Sequence, residues 1–95
     1  MKHKFTNGLW KVGHRKNLVI SDMGASIADV KFTHSDSKNR VNPNVEECIA
    51  NAQLISAAPE LLFALELFVN WKITGAPAID HVMNTARMAI EKAVG

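Results

Sequence analysis

The stretch NAQLISAAPELLFAL, residues 51–65, divides the helical part of the chain. It is apolar and almost free of charge, yet a proline stands near its middle. Pro59 has no backbone N–H donor and its ring clashes with the carbonyl group four residues earlier, so a helix cannot run through it unbroken. Proline is well tolerated in the first turn of a helix, and there Glu60 also suits the positive end of the helix dipole. The stretch therefore predicts two helices, 43–57 and 59–72, that meet at a corner.

The outer ends of these helices, and a third helix, follow from capping residues and spacing. Asn42 is a candidate N-cap, with Pro43 at the first helical position and apolar residues at helical spacing after it. Gly75 can cap the second helix. Pro77 then opens a third helix that runs to about Val94. One face of this helix carries Ile79, Val82, Met83, Ala86, Ile90 and Ala93.

The front of the chain has the pattern of β-strands. Residues 9–14 and 26–33 alternate apolar and polar side chains, and 17–21 contains a short apolar run. A period of two is typical of a half-buried strand. Polar turn residues separate the three runs, and Gly24 supplies the positive φ that a hairpin often needs.

These elements predict an α+β fold in a single domain, 1–95. A three-stranded antiparallel β-meander over about 9–33 is followed, after a polar linker at 34–42, by two to three helices over 43–95 that pack against it. A chain of 95 residues suits one domain with a modest core. An apolar fraction of 47% argues against disorder.

The single cysteine and the hydropathy of the chain indicate its cellular compartment. Cys48 lies in a helical apolar pattern, which predicts a buried structural thiol suited to a reducing environment. No apolar run is long enough to span a bilayer, and no apolar segment follows the basic start as in a secretory signal. We therefore expect a cytoplasmic protein without membrane contact.

Charge divides the chain into a basic front and an acidic back. Residues 1–42 hold eight basic and three acidic side chains, whereas 43–95 hold three basic and six acidic ones. A polarised surface of this kind can meet a nucleic-acid backbone or an acidic protein. The alternative is that the lysines and arginines merely solvate exposed strand faces.

The helix predicted at 59–72 is apolar on more than one side. One stripe would serve as a core face and comprises Leu61, Leu62, Leu65, Phe68 and Val69. A second column consists of Phe63, Leu67 and Trp71. A helix that is apolar all round is either central to a fold or covered by a partner. It could lie between the sheet and the last helix, or it could expose the second column as an interface.

The search for catalytic chemistry is negative. The four histidines lack metal-ligand spacing, and the glycines form no phosphate-binding signature. Glu46 and Glu47 are adjacent, so on a helix their carboxylates diverge and compensate the helix dipole instead. No nucleophile, base and oxyanion site assemble, which predicts a protein that is not an enzyme and uses no cofactor or metal.

Binding is better supported than catalysis. The basic side chains of the strands, the turn between them and the linker could form one patch that contacts phosphates or a protein partner. The candidate residues are Lys11, Arg15, Lys16, Lys31 and Arg40. No strand carries an RNA-recognition aromatic motif, and no helix carries the basic face of a major-groove reader.

A family resemblance covers nearly the whole chain. Residues 50–66, ANAQLISAAPELLFALE, resemble the Ala-Asn-Ala-x-Leu-Ile-x-Ala-Ala-Pro-Glu-Leu-Leu-x-Ala-Leu signature of many small phage and prophage proteins. Residues 6–12, TNGLWKV, and 86–93, ARMAIEKA, are similar to the usual start and end of those proteins. The family usually has a charged residue where Phe63 stands, and this departure favours a partner or a dimer at the central helix.

The resemblance implies a phage setting but no mechanism. Small phage proteins of this size include anti-CRISPR proteins, which bind and block a host nuclease or surveillance complex without catalysis. By this resemblance we expect a stoichiometric inhibitor of a host CRISPR–Cas effector complex, with contact to the bound RNA as an open option. The alternatives are an accessory protein that binds nucleic acid non-specifically and a structural or oligomeric phage protein.

Overall fold

The computed structural model describes residues 3–30 and 45–95. Its elements are three strands and three helices: β1 (Trp10–Val12), β2 (Leu18–Ser21), β3 (Ser26–Asp29), α1 (Val45–Ser56), α2 (Ala58–Thr74) and α3 (Ile79–Val94). The predicted α+β class, a meander followed by helices, is confirmed. The predicted helix cap at Asn42 and Pro43 and the end of the predicted third strand, 31–33, lie outside the described residues.

The three strands form an antiparallel sheet in the order β1-β2-β3. Val12 pairs with Val19, and Val19 pairs with Ala28, so these three side chains share one face. Val19 is fully buried in this face. The period of two read from the sequence therefore corresponds to one covered and one open side of the sheet.

Ser21 builds the turn between β2 and β3. Its hydroxyl oxygen accepts hydrogen bonds from the backbone N–H groups of Met23 and Ala25, at 3.2 and 3.0 Å. Gly24 adopts a φ of 89° in this turn, the left-handed region that favours glycine. The hydroxyl of a buried serine is thereby satisfied, which avoids the cost of an unpaired polar group.

The corner between α1 and α2 falls where Pro59 requires it. Ala57 separates the helices, Pro59 stands in the first turn of α2, and the two axes differ by 45°. The Ala57 carbonyl accepts from the Leu61 backbone N–H at 2.9 Å. No single helix in 3–30 or 45–95 is long and apolar enough to cross a membrane; α1 and α2 reach that length and composition only when the bent pair is taken together.

The predicted cap of α2 is confirmed. Gly75 adopts a φ of 78°, and its backbone N–H donates to the Trp71 carbonyl at 2.7 Å, which satisfies one of the last free carbonyl groups of the helix. The Asn70 side chain holds the next residues, because its amide donates to the Ala76 carbonyl at 2.8 Å. The helix α3 begins two residues after Pro77, at Ile79.

Of the two positions left open for α2 by the sequence, the structure does not adopt the one between the sheet and the last helix. The sheet packs mainly on α1, α1 packs on α3, and α2 packs mainly on α3. The central position therefore belongs to α1, not to α2. The buried core is made largely of small residues: Val19, Cys48, Ala52, Ala57, Ala64, Val82, Ala89 and Ala93.

The stripe predicted as the core face of α2 is wrong. Leu65, Phe68 and Val69 are each about half exposed, and Leu61 and Leu62 are only half-buried. The line that faces α3 carries alanine, and small side chains let two helices approach closely. The hydrophobicity of α2 thus did not reveal which side is covered, since its most apolar sides are not the buried one.

Lys92 joins the sheet to the helices. Its ammonium group donates to the Trp10 carbonyl at 2.8 Å and forms an ion pair with Glu60. The Gln53 side-chain amide donates to the Lys92 carbonyl at 2.7 Å. Strand β1 and all three helices therefore meet at one residue near the end of the chain.

We expect Lys92→Met to lower the free energy of unfolding by about 1–3 kcal/mol, because it leaves the Glu60 carboxylate without its cation in a partly buried site. The two side chains remain 28% and 24% exposed, which places the loss below that of a fully buried pair. Urea denaturation measures it. The double variant Lys92→Met/Glu60→Leu should recover part of the loss, and equal stability of wild type and Lys92→Met would contradict the role given to the ion pair.

We expect the Cys48 thiol to react with a disulfide reagent at least about 100-fold more slowly in the folded protein than in urea, because the thiolate is the reactive form and the side chain is buried. Burial raises the pKa of Cys48 above its ordinary value of 9.0, and the Glu47 carboxylate raises it further.

The same pKa shift gives a pH dependence of stability. Above about pH 9 the thiol of the unfolded chain ionises before that of the folded chain, so the free energy of unfolding should fall as the pH rises. Denaturation at pH 7.5 and 9.5 measures the effect, with Cys48→Ala as the control that removes this contribution. The labelling prediction has its own contrary outcome. If the disulfide reagent reacted with Cys48 equally fast with and without urea, the burial of the thiol would be refuted.

Candidate interaction surface

The turn between β1 and β2 presents two basic side chains at its tip. The Gly13 N–H donates to the Leu18 carbonyl at 2.8 Å, and the Leu18 N–H donates to the Arg15 carbonyl at 2.9 Å. Arg15 and Lys16 are both exposed in this hydrogen-bonded turn. We refer to Arg15 and Lys16 as the basic turn.

Asn17 fixes the basic turn to the neighbouring strand. Its side-chain amide donates to Asp29 Oδ1 at 3.2 Å and to the Val30 carbonyl at 3.0 Å. The Val30 N–H returns a hydrogen bond to the Asn17 carbonyl at 2.8 Å. These bonds hold the backbone next to Arg15 and Lys16, so the two cations project from a defined position.

Lys11 lies on the open face of the sheet. It pairs with Ile20 across β1 and β2, and both alternate with the residues that face the core. The exposed Lys11 side chain therefore shares the β1–β2 hairpin with the basic turn. Of the five basic residues predicted from the sequence, the structure places these three on one hairpin, while Lys31 and Arg40 lie outside the described residues.

No ion pair to Lys11 or to the basic turn is found among residues 3–30 and 45–95. The ion pairs found there are Lys92 with Glu60 and His3 with Glu66, the latter at 3.0 Å between His3 Nε2 and Glu66 Oε2. Neither involves Lys11 or the basic turn. All three side chains are exposed, and exposed positive charge can attract an anionic partner.

The predicted apolar column of α2 is divided by the fold. Phe63 is 55% exposed, whereas Leu67 and Trp71 are half-buried. Trp71 also contacts Phe68, with ring centroids 5.8 Å apart. Phe63 thus presents a side chain to a partner more fully than the other two members of the column do.

Other chemistry is sparse in the described residues. No group of three or more His, Cys, Asp or Glu side chains there is placed to hold a metal ion. Cys48, which could in principle act as a nucleophile, is buried and has a raised pKa. The exposed features that remain in this part of the chain are charged and apolar surfaces.

An exposed apolar surface on α2 and α3 was not predicted from the sequence. Leu65 and Phe68 of α2, and Met83 and Ile90 of α3, are each about half exposed. The signal was present, because each of these residues directly follows one that faces the helix pair: Ala64, Leu67, Val82 and Ala89. Periodicity predicted an apolar face on each helix. It did not predict which part of that face becomes buried when α2 and α3 pack together.

The fold is that of a small α+β protein, and its described surface carries an exposed basic turn and exposed apolar side chains. A family model for Salmonella phage P22 protein Y8K6 matches residues 1–95. The chain belongs to this family of phage proteins. Neither a curated protein nor a solved structure matches the chain.

Proposed function

We propose that this phage protein is a non-catalytic inhibitor of a host CRISPR–Cas effector complex. It acts in the cytoplasm of the bacterial host by stoichiometric binding that blocks target-DNA recognition or recruitment. The observation that carries the proposal is the basic turn, in which Arg15 and Lys16 are exposed on a hydrogen-bonded hairpin. Lys11 extends the same basic surface along β1.

The rigidity of the hairpin supports binding through this surface. Asn17 anchors the turn through its side-chain amide and its carbonyl. A preorganised surface loses less conformational entropy on association than a mobile one. Arg15 and Lys16 therefore present two cations at little entropic cost beyond that of their own side chains.

The charge of this surface supports the kind of partner. An effector complex carries a guide RNA, whose phosphate backbone is anionic. The basic turn complements RNA phosphates or an acidic protein surface on such a complex. Membership in a phage protein family supports a target inside a bacterial cell.

We expect Arg15→Glu/Lys16→Glu to weaken binding to the effector complex by roughly 10- to 100-fold, because each substitution replaces attraction by repulsion at the interface. The matched control is Lys4→Glu/Asn51→Glu/Asn84→Glu, which changes the net charge equally at exposed positions outside the hairpin and off the α2 and α3 outer lines. Both variants should keep wild-type helicity. Equal binding by wild type and Arg15→Glu/Lys16→Glu would remove the basic turn from the interface.

A pulldown identifies the target. Tagged protein is incubated with lysate of a CRISPR-bearing host, with a nuclease-treated duplicate, and captured proteins are identified by mass spectrometry. Effector subunits that are captured in both samples, and are lost with Arg15→Glu/Lys16→Glu, support inhibition by protein contact. Capture of nucleic acid alone would favour the alternative of a non-specific nucleic-acid binder.

Salt dependence separates the two functions further. Binding dominated by phosphate contacts weakens linearly on a plot of log affinity against log salt, with a slope of about −0.9 per neutralised phosphate of duplex DNA. A probe duplex of arbitrary sequence, titrated at several salt concentrations, measures this slope. Tight, steeply salt-dependent binding to the duplex would replace the inhibitor proposal with the nucleic-acid one.

A further inference from the structure

The helices α2 and α3 form an antiparallel pair that is apolar on a side that neither helix covers. They are joined by the short connection 75–78 and pack along their lengths. We define the outer face of this pair by five exposed side chains. They are Leu65 and Phe68 of α2, and Ile79, Met83 and Ile90 of α3.

Each helix carries an inner and an outer line of mostly apolar side chains. The inner lines, which face the helix pair, are Ala57, Glu60, Ala64, Leu67 and Trp71 on the α2 side and Val82, Ala86, Ala89 and Ala93 on α3; all are buried or half-buried. Both follow alternating steps of three and four residues, the spacing of helices that pack side by side.

The outer line repeats this spacing one residue later. Leu61, Leu65 and Phe68 each directly follow a member of the inner line of α2, and Met83 and Ile90 do the same on α3. One residue turns an α-helix by about 100°. Because α2 and α3 run antiparallel, the same rotation about each axis brings both outer lines to the same side of the pair.

Two apolar lines about 100° apart are what a helix needs in order to pack against two neighbours in a four-helix bundle. A two-helix hairpin uses only the inner line. The sheet does not cover the outer face, since it packs mainly on α1. The pair therefore has the pattern of half a bundle.

The area of the outer face matches a dimer interface. Its five side chains are between 40% and 64% exposed. With roughly 200 Å² for each large apolar side chain, they present about 500 Å², so two copies would bury about 1,000 Å² before flanking atoms are counted. That reaches the size of a specific interface, and an apolar patch of this size on a monomer is often functional.

The composition of the outer face favours a second copy as the occupant. The face contains no carboxylate, and its two cations are Lys72 at the end of the α2 line and Arg87 between Met83 and Ile90 on the α3 line. The polar residues Asp80, Asn84 and Glu91 lie on a different line of α3 and are exposed. The large apolar side chains of the face are complementary to those of a second copy about a twofold axis.

We propose that the outer face of α2 and α3 is a homodimer interface, in which the hairpins of two copies close a four-helix bundle. The bundle buries Leu65, Phe68, Met83 and Ile90 against their counterparts. This supplies large apolar side chains to a hairpin whose own inner contact is made mainly of alanine.

Sedimentation equilibrium of the full chain from roughly 1 to 100 µM tests the proposal, because the dimer population depends on concentration. We expect twice the chain mass of 10.4 kDa. We expect Met83→Lys to raise the dimer dissociation constant by roughly 100-fold or more, because twofold symmetry buries two unpaired charges in each dimer.

The chain offers a matched control on the same helix. Met88 is 70% exposed, compared with 54% for Met83, but it lies about 140° away around α3. Met88→Lys should therefore leave the dimer intact, with helicity checked by circular dichroism for every variant. If Met83→Lys lost its helices, Leu65→Lys on α2 would serve as the second test of the same face.

Three results would overturn the proposal. The first is a wild type that stays monomeric throughout the concentration range, whether or not the face binds another protein. The second is a dimer that persists in both Met83→Lys and Leu65→Lys. The third is a dimer that dissociates in Met88→Lys as much as in Met83→Lys. Arg15→Glu/Lys16→Glu should remain dimeric, so failure of the inhibitor proposal and failure of the dimer are distinguishable.

Discussion

The ammonium group of Lys92 is the contact through which the parts of this fold are held in register. It donates to the carbonyl of Trp10 in β1 and pairs with Glu60 in the first turn of α2. The backbone carbonyl of Lys92 accepts a hydrogen bond from the side chain of Gln53 in α1. A lysine stem can pack along apolar surface while its charged end reaches polar partners. In a domain whose core is largely alanine, this polar junction supplies specificity that large apolar side chains supply in other folds.

The local features of the chain could be predicted because each depends on one residue and its backbone. Pro59 separates two helices, Gly75 ends the second, and Gly24 adopts the positive φ of its turn. Alternation in the front of the chain likewise predicted a meander with one covered face. These features are decided by steric rules that act within a few residues, so an isolated sequence is enough to reveal them.

The arrangement of the helices could not be predicted in the same way. The helix α2 is apolar on nearly every side, so hydrophobicity alone does not distinguish the line that meets α3. Small residues decide it: Ala64, Ala89 and Ala93 permit close contact, while Leu65 and Phe68 remain outside. A pattern search that looks for large apolar residues assigns the core to the wrong stripe. The candidate surfaces differ in the same way. The positions of Arg15 and Lys16 in a turn could be predicted from nearby residues, but the outer face of α2 and α3 could not, because it depends on how the helices pack.

A dimer would change how the basic turn acts. The turn belongs to the β1–β2 hairpin, while the outer face belongs to α2 and α3, so the proposed interface leaves both basic turns of a dimer accessible. Once one basic turn of a dimer is bound, the other meets a second site at an effective concentration that depends on the distance between the two turns. This can raise the overall affinity far above that of a single turn. This gain requires a partner that repeats an anionic surface, as RNA phosphates do, or a complex with several like subunits. In such a dimer the apolar face would contribute to recognition without touching the partner, because it would fix the number and spacing of the charged turns.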